Sequence, residues 1–303
     1  MVVPESLAAD RPLALIGSAI GWGSGRRMGA SGAFRLRDGG LAARLRAQGI
    51  AADWHAFIEE HPSSIGAEAV APELALARVA GHGAALAQAV RSALESGRLP
   101  VTLGGDNAGS IGHYVGLTQV TRPLGLIWID AHPDSNTWQT SPSKAAHGMV
   151  VSTITGHGPE VLPRPAAGAI PLSAITMIGI RTVDPGEQAF IDYHGIEVAP
   201  AADATRRGLT TILAEALSRA LTGTAGFGIS IDLDAVDPTQ APGVAFPEPA
   251  GLDADALCAA LDGLGRHPAC VGIEISEFAS EFDRDGRTER LIERLLTALL
   301  AGR

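Results

Sequence analysis

The chain has 303 residues, 46% hydrophobic and 18% charged, enough to bury one large core. Its net charge is −10 and it carries no basic run, which excludes nucleic acid and anionic membrane as expected partners. No stretch reaches the roughly 20 uninterrupted apolar residues of a membrane-spanning helix. The opening MVVPESLAADRPLALIG also lacks the basic-then-apolar order of a secretion signal. The two cysteines, Cys258 and Cys270, have no CxxC spacing and read as buried reduced thiols, so the expectation is a cytoplasmic protein.

In chain order, residues 12–16 read as a buried strand, followed by the glycine-rich GSAIGWGSGRRMGASG. That segment lacks the strand–GxGxxG–helix register and any GK[ST], and reads as a surface loop, not a phosphate cradle. Residues 41–48 look helical, 51–58 form a short strand, 61–64 a loop, and 73–97 a long helix that Gly97 stops. Residues 99–103 are the next strand, ending in Gly104, Gly105, Asp106 and Asn107, with a helix over 110–119 in which His113 is read as structural. Further strands are expected over 174–180, 196–199, 227–231 and 270–275. Helices are expected from 188, over 209–221, from Asp253 to about 264, and over 287–300. The proline-rich 238–249 is too broken for regular structure. Strands alternating with helices throughout predict a single α/β domain over 1–303, three-layer α/β/α with a mainly parallel central sheet.

The chemistry gathers at residues 126–147, LIWIDAHPDSNTWQTSPSKAAH. An apolar run opens into Asp130, His132 and Asp134. In extended chain, alternate residues share a face, so two carboxylates and an imidazole would converge at a strand's C-terminal end. A second apolar run, 227–231, ends in Asp232 and Asp234. Carboxylates crowded this way repel one another unless a proton or a cation intervenes. The pool of four carboxylates and an imidazole suffices for two divalent ions, and its donors suit Mn, with Co, Ni, Fe or Zn as alternatives. The plainer reading of each aspartate is a cap after its strand.

Four ordered segments are similar to the motifs of the ureohydrolases, the arginase and agmatinase family: GGDNAGS at Gly104, DAHPDSNT at Asp130, SIDLDAVDP at Ser230 and GIEISEFAS at Gly272. The resemblance spans at least residues 99–280. It implies an arginase-like α/β fold with a metal pair at the C-terminal sheet edge, most simply Mn2+, and a homo-oligomer, trimer or hexamer. Carried over by residue, Asp130 and Asp232 would bridge the ions, His132 and Asp234 would complete one, and Asp134 with Asn107 the other. Asp134 would also accept a hydrogen bond from the attacking hydroxide. Glu277 would pair with a guanidinium, and His147 would carry a proton to the leaving amine. SPSKAAHGM and VDPGE resemble arginase segments, which places Asn136 and Ser143 at a substrate α-carboxylate and Asp184 at its α-amino group. The activity so implied is release of urea from arginine or an arginine-like guanidino compound. The alternatives are another guanidino or formimidoyl substrate, or a weakened subunit supporting an active homologue.

The departures are specific. Asn107 stands where the family carries a metal-binding histidine, and a neutral amide oxygen is the weaker donor for borderline metals. A looser site, a shifted metal preference or partial occupancy is the expectation. Ala145 and Lys144 replace an asparagine and a glycine, Thr182 an acid, and Ala279 with Ser280 an Asn–Pro. Lys144 is read as solvated.

Overall fold

Strands buried on both faces must lie between two layers of helix, and right-handed crossovers supply those layers. The computed structural model, which describes residues 11–25, 29–59 and 70–302, has this arrangement. Its strands are β1 (Leu13–Ala19), β2 (Ala52–Glu59), β3 (Leu99–Leu103), β4 (Leu124–Ile129), β5 (Ile175–Ile180), β6 (Glu197–Pro200), β7 (Gly226–Asp232) and β8 (Cys270–Ser276). They form one sheet in the order β2-β1-β3-β8-β7-β4-β5-β6, and every pairing is parallel.

Alternation along each strand divides the core. Ile127, Ile129, Ile229 and Ile231 join the apolar cluster under α1 (Ser31–Asp38), α2 (Leu41–Ala47), α8 (Leu209–Leu221), α9 (Ala254–Ala260) and α10 (Arg287–Leu299). Leu126, Trp128, Ile175 and Met177 face the other cluster, under α3 (Pro72–Glu95), α4 (Gly109–Val120), α5 (Val150–Ile154) and α6 (Pro185–His194). A further short helix, α7 (Ala201–Arg207), follows β6. In α10 the apolar residues recur at helical spacing, so Leu291, Ile292, Leu295, Leu296 and Leu299 all turn inward. Each such side chain stabilises the fold by about 1.5–3 kcal/mol relative to exposure.

Several expectations are corrected. The first part of the glycine-rich segment is no surface loop: β1 runs to Ala19, and the chain stays buried through Gly23. The tight packing has a visible cause, since a Cβ on Gly105, whose φ is +72°, would lie 2.3 Å from the Ser18 carbonyl oxygen. The end of that segment starts α1, a helix its glycines concealed. Likewise α6 begins at Pro185, where proline suits a first helical turn. α9 stops at Ala260, short of 264, with Gly263 left-handed before a separate turn. The loop expected at 61–64 lies outside the described residues. Cys258 and Cys270 are free, and burial pushes the Cys270 thiol up to about 12. Among the described residues no helix is long and apolar enough to cross a membrane.

Strand order also gathers the chemistry. β3, β8, β7, β4 and β5 are consecutive neighbours, so the turns after all five open along one stretch of the carboxyl edge, where open α/β sheets present ligand-binding groups.

Candidate active site

The acids come together, but not by strand alternation. The extended chain ends at Ile129, and Asp134 has a left-handed φ of +47°. Past β7, Asp234 lies in the single turn Leu233–Ala235, whose Asp234 N–H donates to Asp232 Oδ1 at 2.8 Å. Turns therefore do what continued extension cannot. The His132 N–H donates to Asp130 Oδ1 at 2.6 Å, and the Ala131 N–H to Asp234 Oδ1 at 3.2 Å. His132 Nδ1 then faces Asp234 Oδ2 at 3.0 Å and Asp130 Oδ1 at 3.6 Å. One ligand atom from each of Asp130, His132 and Asp234 lies within 4.8 Å of the others, a set of the kind that holds a metal ion.

The tips of β3 and β8 build the opposite wall. The Gly104 N–H donates to the Ile275 carbonyl at 3.0 Å and the Glu277 N–H to the Gly105 carbonyl at 2.9 Å, which locks the two turns together. Glu277 also has a left-handed φ, +60°, and its Oε1 accepts the Asn107 N–H at 2.9 Å. The Asn107 side chain, 1% exposed, donates from Nδ2 to Asp134 Oδ2 and, at 3.4 Å, to Asp130 Oδ2. Its Oδ1 accepts from Ser110 Oγ at 2.8 Å and Ser276 Oγ at 3.3 Å.

Crowding sets the electrostatics. Burial raises the carboxyls of Asp134, Asp232 and Glu277 well above the usual range, and neighbouring acids push each further. Asp130 rises to about 7 through burial and then Asp234, against the pull of His132. Burial opposes the charged form of His132, yet its bonds to Asp130 and Asp234 outweigh this and lift it to about 12. Asp234 is the exception: burial would raise it, but His132 brings it below its ordinary value. A buried acidic pool with one imidazole for countercharge has the donor chemistry of a divalent-cation site, and the Asp130–His132–Asp234 set fits one.

Ten of the eleven residues singled out from the sequence line one cleft of about 260 Å3: Asn107, His132, Asp134, Asn136, Ser143, His147, Asp184, Asp232, Asp234 and Glu277. The eleventh, Asp130, is fully buried beside His132. Among the described residues, no lysine or arginine lines this cleft. Asn136 Nδ2 donates to Asp184 Oδ2 at 3.0 Å, and Ser143 is exposed at the rim. Desolvation in the cleft wall, with His132 nearby, lowers His147 to about 4, so its imidazole is neutral at pH 7. Lys144 is not simply solvated: it is half-buried, with Nζ donating to the Trp138 carbonyl and lying 5.5 Å from that ring.

Six further residues line the cleft, and the contacts of three of them, Phe246, Glu248 and Glu187, shape it. Phe246 lies against His147, with ring centroids 5.4 Å apart. Glu248 accepts from Thr182 Oγ1 at 2.8 Å and lies 3.6 Å from His132 Nε2. Both belong to the proline-rich 238–249, where nothing in the order of residues marks them. Arg181 fixes that segment from beneath, donating to the carbonyls of Glu248 and Pro249 as well as to those of Asp234, Ala235 and Gly179. Glu187 had a legible signal, the Asp-Pro-Gly-Glu start of a helix. It accepts from the Asp184 N–H at 2.9 Å and the Ser135 N–H at 3.1 Å, tying α6 to the β4 turn.

Known proteins place this site in context. The family model described as "Arginase family" matches residues 12–302. The arginase of Bacillus subtilis (strain 168) is 30% identical over 293 residues, covering 96% of this chain and 98% of that one. The solved structure of the arginase from Bacillus caldovelox superposes with a TM-score of 0.88 at 29% identity, covering 97% of this chain and 99% of the other. The formimidoylglutamase structure from Bacillus subtilis subsp. subtilis str. 168, at 21% identity and a TM-score of 0.75 over 96% of this chain and 86% of that one, shares the fold. On its sequence and its eight-stranded parallel sheet, the chain belongs to the arginase family.

Proposed function

We propose that the protein cleaves the guanidino C–N bond of arginine or an arginine-like compound and releases urea. Family membership makes the chain a hydrolase of C–N bonds in linear amidines. The observation that carries the narrower reading is the cleft itself, a space of about 260 Å3 lined by His132 and Asp234 of the cation-holding triad and by the carboxyl of Glu277. Asp130, His132 and Asp234, with Asp232 alongside, would hold a divalent ion. Mn2+ is the first choice, with Ni2+ or Co2+ as alternatives. When bound, such an ion supplies a Lewis acid that makes hydroxide available near neutral pH.

The chain's own groups do the rest. Glu277 pairs with the planar guanidinium, whose donor fork suits a carboxylate, and holds its carbon beside the ion. Asp134, 7% exposed, accepts a hydrogen bond from the attacking oxygen. Neutral His147 takes up a proton at its ring and delivers it to the departing amine. Asn136 and Ser143 serve a substrate carboxylate, and Asp184 an amino group. The shared fold with formimidoylglutamase keeps a formimidoyl substrate as the competing reading. A cytoplasmic homo-oligomer, trimeric or hexameric, is part of the same proposal.

The test is a urea-release screen with Mn2+, Co2+ or Ni2+ over arginine, agmatine, guanidinobutyrate and substituted guanidines, with formimidoyl amino acids assayed alongside. Arginine is expected to turn over fastest. Urea from none of them would overturn the proposal, and turnover of a formimidoyl compound alone would move the assignment to that class.

A further inference from the structure

The cation-holding triad occupies only one wall of the cleft. Across from it, where the resemblance implies a second ion, the structure presents a buried amide whose hydrogen bonds are all made. An amide nitrogen has no lone pair to offer a metal, so Asn107 can ligate only through Oδ1. That oxygen is turned away from the acids and held by two hydroxyls, Ser110 on α4 and Ser276 at the end of β8. The NH2 group faces the carboxylates instead, donating to Asp134 and to Asp130 at 3.4 Å. With Asp130 and Asp134 ionised, as a neighbouring cation requires, carboxylates on one side and hydroxyls on the other fix which way the amide faces, because the reverse would set its oxygen against two negative charges.

We infer that this chain holds one divalent ion, on the His132 side, and that the Asn107 amide fills the place a second would take. The inference deepens the metal-dependent reading and rests on it. A second ion would have to turn a side chain that is 1% exposed and break its bonds to Asp134, Asp130, Ser110 and Ser276. It would gain one neutral oxygen, a poorer donor than imidazole for a borderline metal. The backbone offers no relief, since the Asn107 N–H is tied to Glu277 Oε1 at 2.9 Å. Among the described residues, the histidine and carboxylate atoms form one cation-sized group, Asp130, His132 and Asp234, and Asp134 stands outside it.

The experiment counts ions without relying on turnover. Full-length protein is loaded with excess Mn2+, desalted into metal-free buffer, and assayed for Mn per chain by mass spectrometry and for spin coupling by low-temperature EPR. Wild type is expected to keep about one ion with the spectrum of isolated Mn2+. Asn107→His should keep about two with an exchange-coupled spectrum. Two retained, coupled ions in wild type would overturn the inference, and this arm needs no variant. One ion in a folded Asn107→His protein would also overturn it, since the amide would then not set the count. No retained ion in either protein would sink this inference together with the metal-dependent reading. One retained ion alongside a failed urea screen would sink only the proposed reaction.

Discussion

The two walls of the cleft are made alike, each from two neighbouring strand tips joined by turns, yet they end up chemically different. On the β4–β7 wall, short turns aim an imidazole nitrogen at two carboxylates 3.0 and 3.6 Å away. On the β3–β8 wall, a neutral amide lies between acids and hydroxyls with every bond made. The first wall is a charge problem that a cation solves, and the second has already been solved by hydrogen bonds. Walls of similar build therefore need not share an appetite for metal, and on the inference above Asn107 sets the difference.

Making the walls alike is the most severe way to test that contrast. His132→Asn should abolish metal retention and lower urea release by at least about 10^3-fold, the scale expected when Lewis-acid assistance is lost. Retained metal with near-normal turnover would place the ion elsewhere.

A second contrast concerns the ground beneath the walls. The β3 side rests on neutral histidines: His113 Nδ1 bonds Thr102 Oγ1 at 2.8 Å, and His82 Nε2 bonds Ser18 Oγ at 2.9 Å. Burial lowers His113 to about 3 and His82 to about 4, both from 6.5. Their stabilising contribution is complete above pH 6.5 and is lost as pH falls toward those lowered values. By pH 5 the loss is about 2 kcal/mol for each. Urea denaturation of wild type and His113→Gln at pH 7.5 and pH 5 measures it: the variant should lose correspondingly less on acidification. Equal pH dependence would show His113 charging freely in the fold.

Glu277→Gln keeps an acceptor for the Asn107 N–H but removes the charge offered to a guanidinium. It should lower kcat/KM for arginine about 10- to 100-fold. An unchanged value would take Glu277 out of substrate binding. The smallest effect belongs to Glu248, which stands near the outer nitrogen of His132. Glu248→Gln should weaken Mn2+ affinity by roughly 3- to 10-fold, since carboxylates behind a ligating imidazole raise its basicity. A change in KM for amino-bearing substrates alone, with metal affinity intact, would assign Glu248 to the substrate's tail instead.

How much of each part is legible in the sequence depends on how that part is held. β3 was legible to the residue, and β4, β7 and β8 to within one or two, because burial on both faces writes an unbroken apolar run. Motif order picked out eleven candidate residues, and ten of them line one cleft. Their geometry was not legible, because Asp134 and Asp234 are placed by turns and local hydrogen bonds, where alternation no longer applies. That Asn107 departs from the motif it resembles was an expectation from the sequence. Which way its amide faces depends on Ser110 and Ser276, 3 and 169 positions away, and no local pattern carries that. Glu248 was illegible for a related reason: an acid in a proline-rich connection looks like any solvated acid until Arg181 is seen pinning the chain beneath it.

The left-handed backbone at Asp134 and Glu277 sets robustness against chemistry. A residue with a Cβ pays about 1–2 kcal/mol to adopt that shape, and glycine adopts it freely. Selection for heat tolerance alone would draw glycine into both positions and strip the cleft of two carboxylates while toughening the scaffold.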